Sequence, residues 1–154
     1  MFSRIAIVNR GEAAMRLIHA VRDLNAQAGV GGHRIETVAL HTEGEKRAMF
    51  VREADHAYNL GPAANRPYLD YAVLEKALRE TGADAAWVGW GFVAEDPAFA
   101  ELCASLGVTF IGPPPESMRL LGAKIEAKVL AEQTGVPVAA WSGGPVETIE
   151  DGLR

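Results

Sequence analysis

The chain has 154 residues, about half of them hydrophobic, and a net charge of −5, which is the length of one ordinary domain with enough apolar material for a full core. Its lysines and arginines are scattered, which excludes a basic nucleic-acid stripe and a polybasic membrane patch. Cys103 is the single cysteine, so internal disulfides are excluded and a reducing, cytoplasmic setting is expected; no apolar run approaches the ~20 residues that span a bilayer.

Taken in order, the chain alternates short apolar runs with helical periods. Ile5 to Val8 is a continuous apolar run, as expected of a strand covered on both faces. A helix follows from Glu12 to about Asn25, with Ala14, Leu17, Ile18 and Val21 on one face of a 3.6-residue period. Gln27 to Arg34 is a glycine-rich loop, Ile35 to His41 a second strand, Glu43 to Ala54 a charged and partly helical connection, and His56 to Leu60 a short third strand near an edge. After the Pro62 to Pro67 loop, Pro67 suits a first helical position; Tyr71, Leu74 and Leu78 form the buried stripe of that helix, and Gly82 ends it. Ala85 to Val88 is a fourth strand. Asp96 suits an N-cap, with Pro97 at the first helical position. Phe99, Leu102, Cys103 and Leu106 then repeat at helical spacing, which puts Cys103 in the core rather than in a reactive role. Val108 to Ile111 is a fifth strand. Two short helices follow Gly112-Pro-Pro-Pro, over Glu116 to Leu121 and Lys124 to Thr134, the second closed by Gly135.

Strand–helix alternation of this kind predicts a three-layer, Rossmann-like α/β fold: about five parallel strands with helices on both faces. Right-handed crossovers place every strand's carboxyl end on one rim. Three turns share that rim: Asn9-Arg10-Gly11-Glu12, Gly89-Trp90-Gly91 and Gly112-Pro113. The segment Trp87 to Pro97 is the most informative. Gly89 and Gly91 allow backbone conformations and close approaches that a Cβ forbids, and they frame a large aromatic ring at the end of a strand. The same segment also reads as a tight turn with a packed tryptophan. Val136 to Trp141 reads as an extended strand or linker, Ser142-Gly-Gly-Pro145 as a break, and Thr148 with Asp151 as a weak capping box before a helix near Ile149. This beginning is too short for an isolated helix, so the chain reads as a piece of something longer: one domain over 1–141, then a linker and the start of a second over 142–154.

The first turn lacks the G-x-G-x-x-G of a dinucleotide site, and Glu12 would repel a diphosphate while complementing the helix dipole; NAD and FAD are rejected. Arg10 either makes a structural ion pair or lines a site. His19, His33, His41 and His56 have no zinc-site spacing, and only His41 falls on the rim. No nucleophile triad is visible. Lys124 and Lys128 lie one helical turn apart. Both read by default as solvated, although a lysine at such a helix start can meet a phosphate as a point charge.

Five blocks in order resemble the N-terminal domain of biotin carboxylase: Ile5-Ala-Ile-Val-Asn-Arg-Gly-Glu-Ala-Ala-Met-Arg, Ala86-Trp-Val-Gly-Trp-Gly-Phe-Val-Ala-Glu-Asp-Pro, Phe110-Ile-Gly-Pro-Pro, Leu121-Gly-Ala-Lys-Ile and Gly135-Val-Pro-Val-Ala-Ala-Trp-Ser-Gly. The resemblance covers about Ile5 to Ser142. Trp87, Trp90 and the Trp141 block look like long multidomain acetyl-CoA or propionyl-CoA carboxylases, while the Asn-Arg-Gly-Glu turn looks bacterial. The resemblance implies a pre-ATP-grasp fold and a part in a ligase that uses ATP, Mg2+ and bicarbonate to carboxylate carrier-bound biotin, the first step of malonyl- or methylmalonyl-CoA formation and so of fatty acid biosynthesis.

It implies no catalytic or metal-binding residue here, since the family's lie in the ATP-grasp and C-terminal domains, and no cofactor tightly held by this chain alone. By motif, Lys124 matches a lysine that contacts ATP phosphates, Trp90 and Glu95 match residues at the rim of the biotin pocket, and Arg16 matches a residue of contacts between copies. The expected partners are the ATP-grasp and C-terminal domains, the biotin carboxyl carrier domain and a second copy of the chain. Ala123 departs from the family's usual aspartate before the lysine, Val88-Gly89 replaces a common His-Pro, and Ala94 a frequent serine. The alternatives are a stand-alone protein-interaction module of this fold, or the equivalent domain of another ATP-grasp ligase.

Overall fold

Apolar runs without a polar face belong in a sheet covered on both sides, and the computed structural model, which describes residues 2–153, places them there. Up to Ile111 the elements are β1 (Arg4–Ile7), α1 (Gly11–Ala28), β2 (Glu36–His41), α2 (Met49–Glu53), β3 (His56–Asn59), α3 (Tyr71–Thr81), β4 (Ala85–Trp87), α4 (Pro97–Ser105) and β5 (Thr109–Ile111). The five strands form one parallel sheet in the order β3-β2-β1-β4-β5. β1 lies at the centre, with Ala6 opposite Val38 on one side and Ala86 on the other.

The two-residue side-chain period sorts the core into faces. Ala6, Val8, Val38, Leu40, Ala86 and Val88 pack with Leu74, Leu78, Phe99 and Cys103 of α3 and α4. On the opposite face Ile7 and Ala39 pack with Ala14 and Ile18 of α1 and Phe50 of α2, and Ile5 and Ala85 pack with Val21. The chain moves outward from β1 to β3, then returns past β1 to β4 and β5. With crossovers of one hand, that reversal requires the later helices on the other face.

Local chemistry sets the helix ends. Asp70 caps α3, accepting from the backbone N–H groups of Ala72 at 3.0 Å and Val73 at 3.3 Å, and Gly82 closes it at φ +63°. Pro67 therefore does not open α3, as its position in the sequence suggests; it opens a single 3-10 turn over Pro67–Leu69, because Asp70 offers the side-chain oxygen that proline cannot. Asp96 caps α4 through Ala98 N–H at 3.0 Å, with Pro97 as the first helical residue. At the amino ends of the strands, Asp84 accepts from the N–H groups of Ser3 and Arg4, and Asp55 accepts from the N–H and hydroxyl of Thr37.

The chain divides into two compact units after Pro113. The second contains α5 (Pro115–Gly122), α6 (Lys124–Gln133) and α7 (Ile149–Gly152). Between α6 and α7 no strand forms, so Val136 to Trp141 is a linker. Lys128 Nζ sits 5.2 Å above the Trp141 ring, and the indole N–H donates to Glu132 at 2.8 Å, tying this linker back to α6. Thr148 caps α7 by accepting from Asp151 N–H and donating to its carboxylate. No helix among the described residues is long and apolar enough to cross a membrane.

Candidate functional site at the β1–β4 edge

Between β1 and β4 the connections leave in opposite directions. In open parallel sheets such a reversal leaves a crevice at the carboxyl ends of the strands. Here it is a cavity of about 380 Å³, with walls that include Asn9, Arg10, Thr42, Arg66, Tyr68 and Trp90.

Asn9 builds this edge. Its side-chain N–H2 donates to the carbonyl oxygens of Val88 at 2.7 Å and Trp90 at 2.9 Å, and its oxygen accepts from Arg10 N–H at 2.8 Å. One amide thus fastens the turn after β4 to the turn after β1. Gly89 takes φ +63° and Gly91 φ +108°, and a Cβ on Gly89 would stand 2.6 Å from the Trp87 ring. A larger residue at position 89 would strain the backbone and push the Trp87 ring aside. The result is that Trp90 stays 57% exposed on the crevice wall, where its flat apolar face is open to a ligand or a partner.

Behind the crevice, Tyr68 donates its hydroxyl to Leu40 O at 2.6 Å. Burial, reinforced by the negative charge of Glu45, pushes its phenol well above the ordinary value, so Tyr68 is a fixed neutral donor. Glu45 accepts from the Thr42 hydroxyl at 2.7 Å and its N–H at 3.1 Å. Burial alone would raise the Glu45 carboxyl, but these hydrogen bonds, with Arg10, outweigh it and hold the group below its usual range. Arg10 reaches Glu45 at 3.4 Å, so it both lines the crevice and makes an ion pair. His41, buried at the end of β2, is bonded through Nδ1 to Thr42 O. This arrangement offers hydrogen bonds, positive charge and an aromatic face. It has the parts of a recognition site and no nucleophile–base pair.

Of the residues singled out by sequence, the structure brings Trp90 and Arg10 together. Glu95 is exposed at the end of the 3-10 turn Phe92–Glu95 and does not line the crevice. Arg16 is exposed on α1 and pairs with Glu12 one turn earlier. Lys124 is the exposed first residue of α6, in the second unit, where Ala123 provides no side-chain cap. Cys103 is fully buried, and burial pushes its thiol up to about 12. Sequence reasoning missed Asn9, Arg66 and Tyr68. An asparagine between a buried strand and a glycine was a local signal for the first; the other two lie in a loop without periodicity. Among the described residues no group of three or more His, Cys, Asp or Glu side chains is placed to hold a metal ion.

The family described as biotin carboxylase, N-terminal domain, matches residues 1–118. The chain is 38% identical over 154 residues to biotin carboxylase 1 of Bacillus subtilis, covering 99% of this chain and 32% of that protein. It is 36% identical over 154 residues to the 2-oxoglutarate carboxylase small subunit of Hydrogenobacter thermophilus, covering 100% of this chain and 31% of the relative. The crystal structure of the biotin carboxylase domain dimer of that 2-oxoglutarate carboxylase, in complex with MgADP, ADP and bicarbonate, superposes with a TM-score of 0.84 at 36% identity, covering 99% of this chain and 32% of that one. The chain spans about a third of the length of these relatives.

Proposed function

We propose that this chain, which belongs to the biotin carboxylase N-terminal domain family, supplies the first part of a biotin carboxylase module that carboxylates carrier-bound biotin with ATP and bicarbonate. The observation that carries this reading is the β1–β4 crevice with an exposed Trp90 on its wall, in a chain that aligns along nearly its whole length with about a third of biotin carboxylase 1. In this reading Trp90 and Glu95 form the biotin-side rim, Lys124 contacts ATP phosphates and Arg16 contributes to contacts between copies. Residues 1–141 act as the N-terminal domain, and residues 142–154 lead into the ATP-grasp domain.

Two of these assignments, Trp90 and Lys124, have direct physical support. An exposed indole offers a flat apolar face to a bicyclic ligand. Lys124 is solvent-exposed at a helix start, where positive charge and free N–H groups favour an anion. Magnesium, in a full module, would neutralise phosphate charge; among the described residues of this chain no group of three or more His, Cys, Asp or Glu side chains is placed to hold it. The final acceptor we propose is an acyl-CoA, acetyl or propionyl, in the cytoplasm. Its support is the tryptophan pattern at Trp87, Trp90 and Trp141 and the lone, buried Cys103. The relatives also include a 2-oxoglutarate carboxylase at comparable identity.

The test is reconstitution. The 154-residue chain is joined to the remaining two thirds of the Bacillus subtilis relative, and ATP hydrolysis is followed with bicarbonate, with and without biotin. The expected result is biotin-dependent hydrolysis by the joined protein and none by the chain alone. Biotin-dependent turnover by the chain alone, or none by a folded joined protein, overturns the reading.

A further inference from the structure

Arg66 is the one non-glycine residue with positive φ among the described residues, at φ +48°, ψ +50°. It stands between two 3-10 turns, Ala63–Asn65 and Pro67–Leu69, and directly before Pro67. Both circumstances oppose it. The left-handed region is costly for a residue with a Cβ, and a following proline favours extended backbone instead. Glycine or asparagine would suit the position better. Strain of this kind, where an observed outlier lines a cavity, points to use of the side chain.

The side chain is free to be used. Arg66 lines the β1–β4 crevice, and its guanidinium has no hydrogen-bond or ion-pair partner among the described residues. Arg10 lines the same crevice with its side chain 65% exposed, and its contact with Glu45 is long at 3.4 Å. Glu45 is itself already committed to Thr42. In a chain of net charge −5, the residues lining this cavity include two arginines and no acid. The rest of the wall is mainly apolar, with Val8, Leu69, Val88 and the exposed face of Trp90. Its volume of about 380 Å³ suits a small molecule.

We propose that the crevice binds a small monocarboxylate with a flat apolar body, its carboxylate held by Arg10 and Arg66 and its body lying on Trp90. The guanidinium fork matches a carboxylate in two parallel hydrogen bonds. One arginine partly neutralised by Glu45 and one unneutralised suit a single negative charge better than a phosphate's two. This inference rests on the charge and lining of the crevice, independently of the carboxylase reading.

Benzoate is the probe, with benzyl alcohol as its uncharged counterpart and inorganic phosphate as the competing anion. Each is titrated into the 154-residue chain while the Trp90 indole N–H signal is followed by NMR, assigned through Trp90→Phe. Benzoate is expected to shift that signal saturably, with benzyl alcohol and phosphate at least about tenfold weaker. Arg66→Gln and Arg10→Gln each weaken benzoate about tenfold and leave benzyl alcohol unchanged. Arg66→Gly relieves the backbone, so it stays folded and shows the same loss. Equal binding of benzoate and benzyl alcohol, tighter binding of phosphate, or benzoate binding unchanged in both Arg66 variants overturns the proposal. None of these readouts involves ATP or biotin, so their failure leaves the carboxylase reading standing, and the failure of reconstitution leaves this one standing.

Discussion

Asn9 concentrates three hydrogen bonds in one side chain at the junction of the two central turns. Asn9→Ala leaves the carbonyls of Val88 and Trp90 and the N–H of Arg10 without that partner. It should cost roughly 1–3 kcal/mol, read as a lowered denaturant midpoint with an unchanged slope. Gly89→Ala meets a different obstacle, a positive φ and a Cβ 2.6 Å from the Trp87 ring. It should cost about 1–3 kcal/mol through strain. Gly91→Ala meets nothing within 4 Å, but its φ +108° and ψ −172° lie in a region essentially confined to glycine, so it should cost a similar amount, roughly 1–3 kcal/mol, from the backbone alone in the same urea titration. Cys103 is buried with its thiol near 12, far above the ~8.5 of a free thiol. A thiol reagent at pH 8 should therefore label it only as fast as the protein unfolds. The importance of Gly89 and the inertness of Cys103 were legible in the sequence, because each follows from local spacing. That of Asn9 was not, because its two carbonyl partners lie 79 and 81 positions away and no local pattern encodes them.

Helices α3 and α4 are coupled through a shared acid. Asp96 caps α4 with one carboxylate oxygen and accepts the Tyr71 hydroxyl of α3 with the other. Burial, with this carboxylate as the next cause, pushes the Tyr71 phenol up to about 12. Beneath this pair, Phe99 packs against Tyr71 and, edge-on, against Phe110 of β5. Phe99→Ala should cost about 3–5 kcal/mol. Asp96→Ala should cost about 1 kcal/mol for the cap, plus whatever Tyr71→Phe measures for the hydroxyl contact. A double-mutant cycle over Tyr71 and Asp96 separates the two. Existence and order of these helices were readable from the apolar period, since burial on one face imposes it. The start of α3 was not, because proline at 67 and aspartate at 70 offer competing signals, and the side-chain acceptor wins over the preset φ. The left-handed Arg66 follows from that same crowded turn and has no signature in composition.

Across the first unit, acids tie the strand ends together. Asp84 and Asp55 lose affinity for protons on folding: burial pushes each up, but hydrogen bonds from Arg4 and Ser3 to the first, and from Thr37 with Arg34 to the second, hold both below the ordinary value. The unfolded chain therefore binds more protons than the folded one near and below about pH 4, and stability falls as pH drops through that window. A denaturant midpoint measured from pH 6 to pH 3 should decline, and Asp55→Asn should flatten the decline while lowering the plateau. The sheet's centre was legible in advance because β1, β2 and β4 are buried and carry apolar runs; the largely exposed β3 was readable only as a short strand near an edge. The crevice was legible only as a rim: parallel topology placed the Asn9 and Trp90 turns on one edge, whereas the arginine from the Ala63–Leu69 turns joined them through tertiary folding.

The central claim is that the exposed Trp90 on the β1–β4 edge faces biotin in a carboxylase module. The most direct measurement is the biotin KM for ATP hydrolysis by the chain joined to the remainder of a biotin carboxylase, native against Trp90→Ala. Loss of an aromatic contact of roughly 1–1.5 kcal/mol predicts a KM raised about tenfold with the biotin-independent rate unchanged. A biotin KM equal in the two proteins would contradict the account.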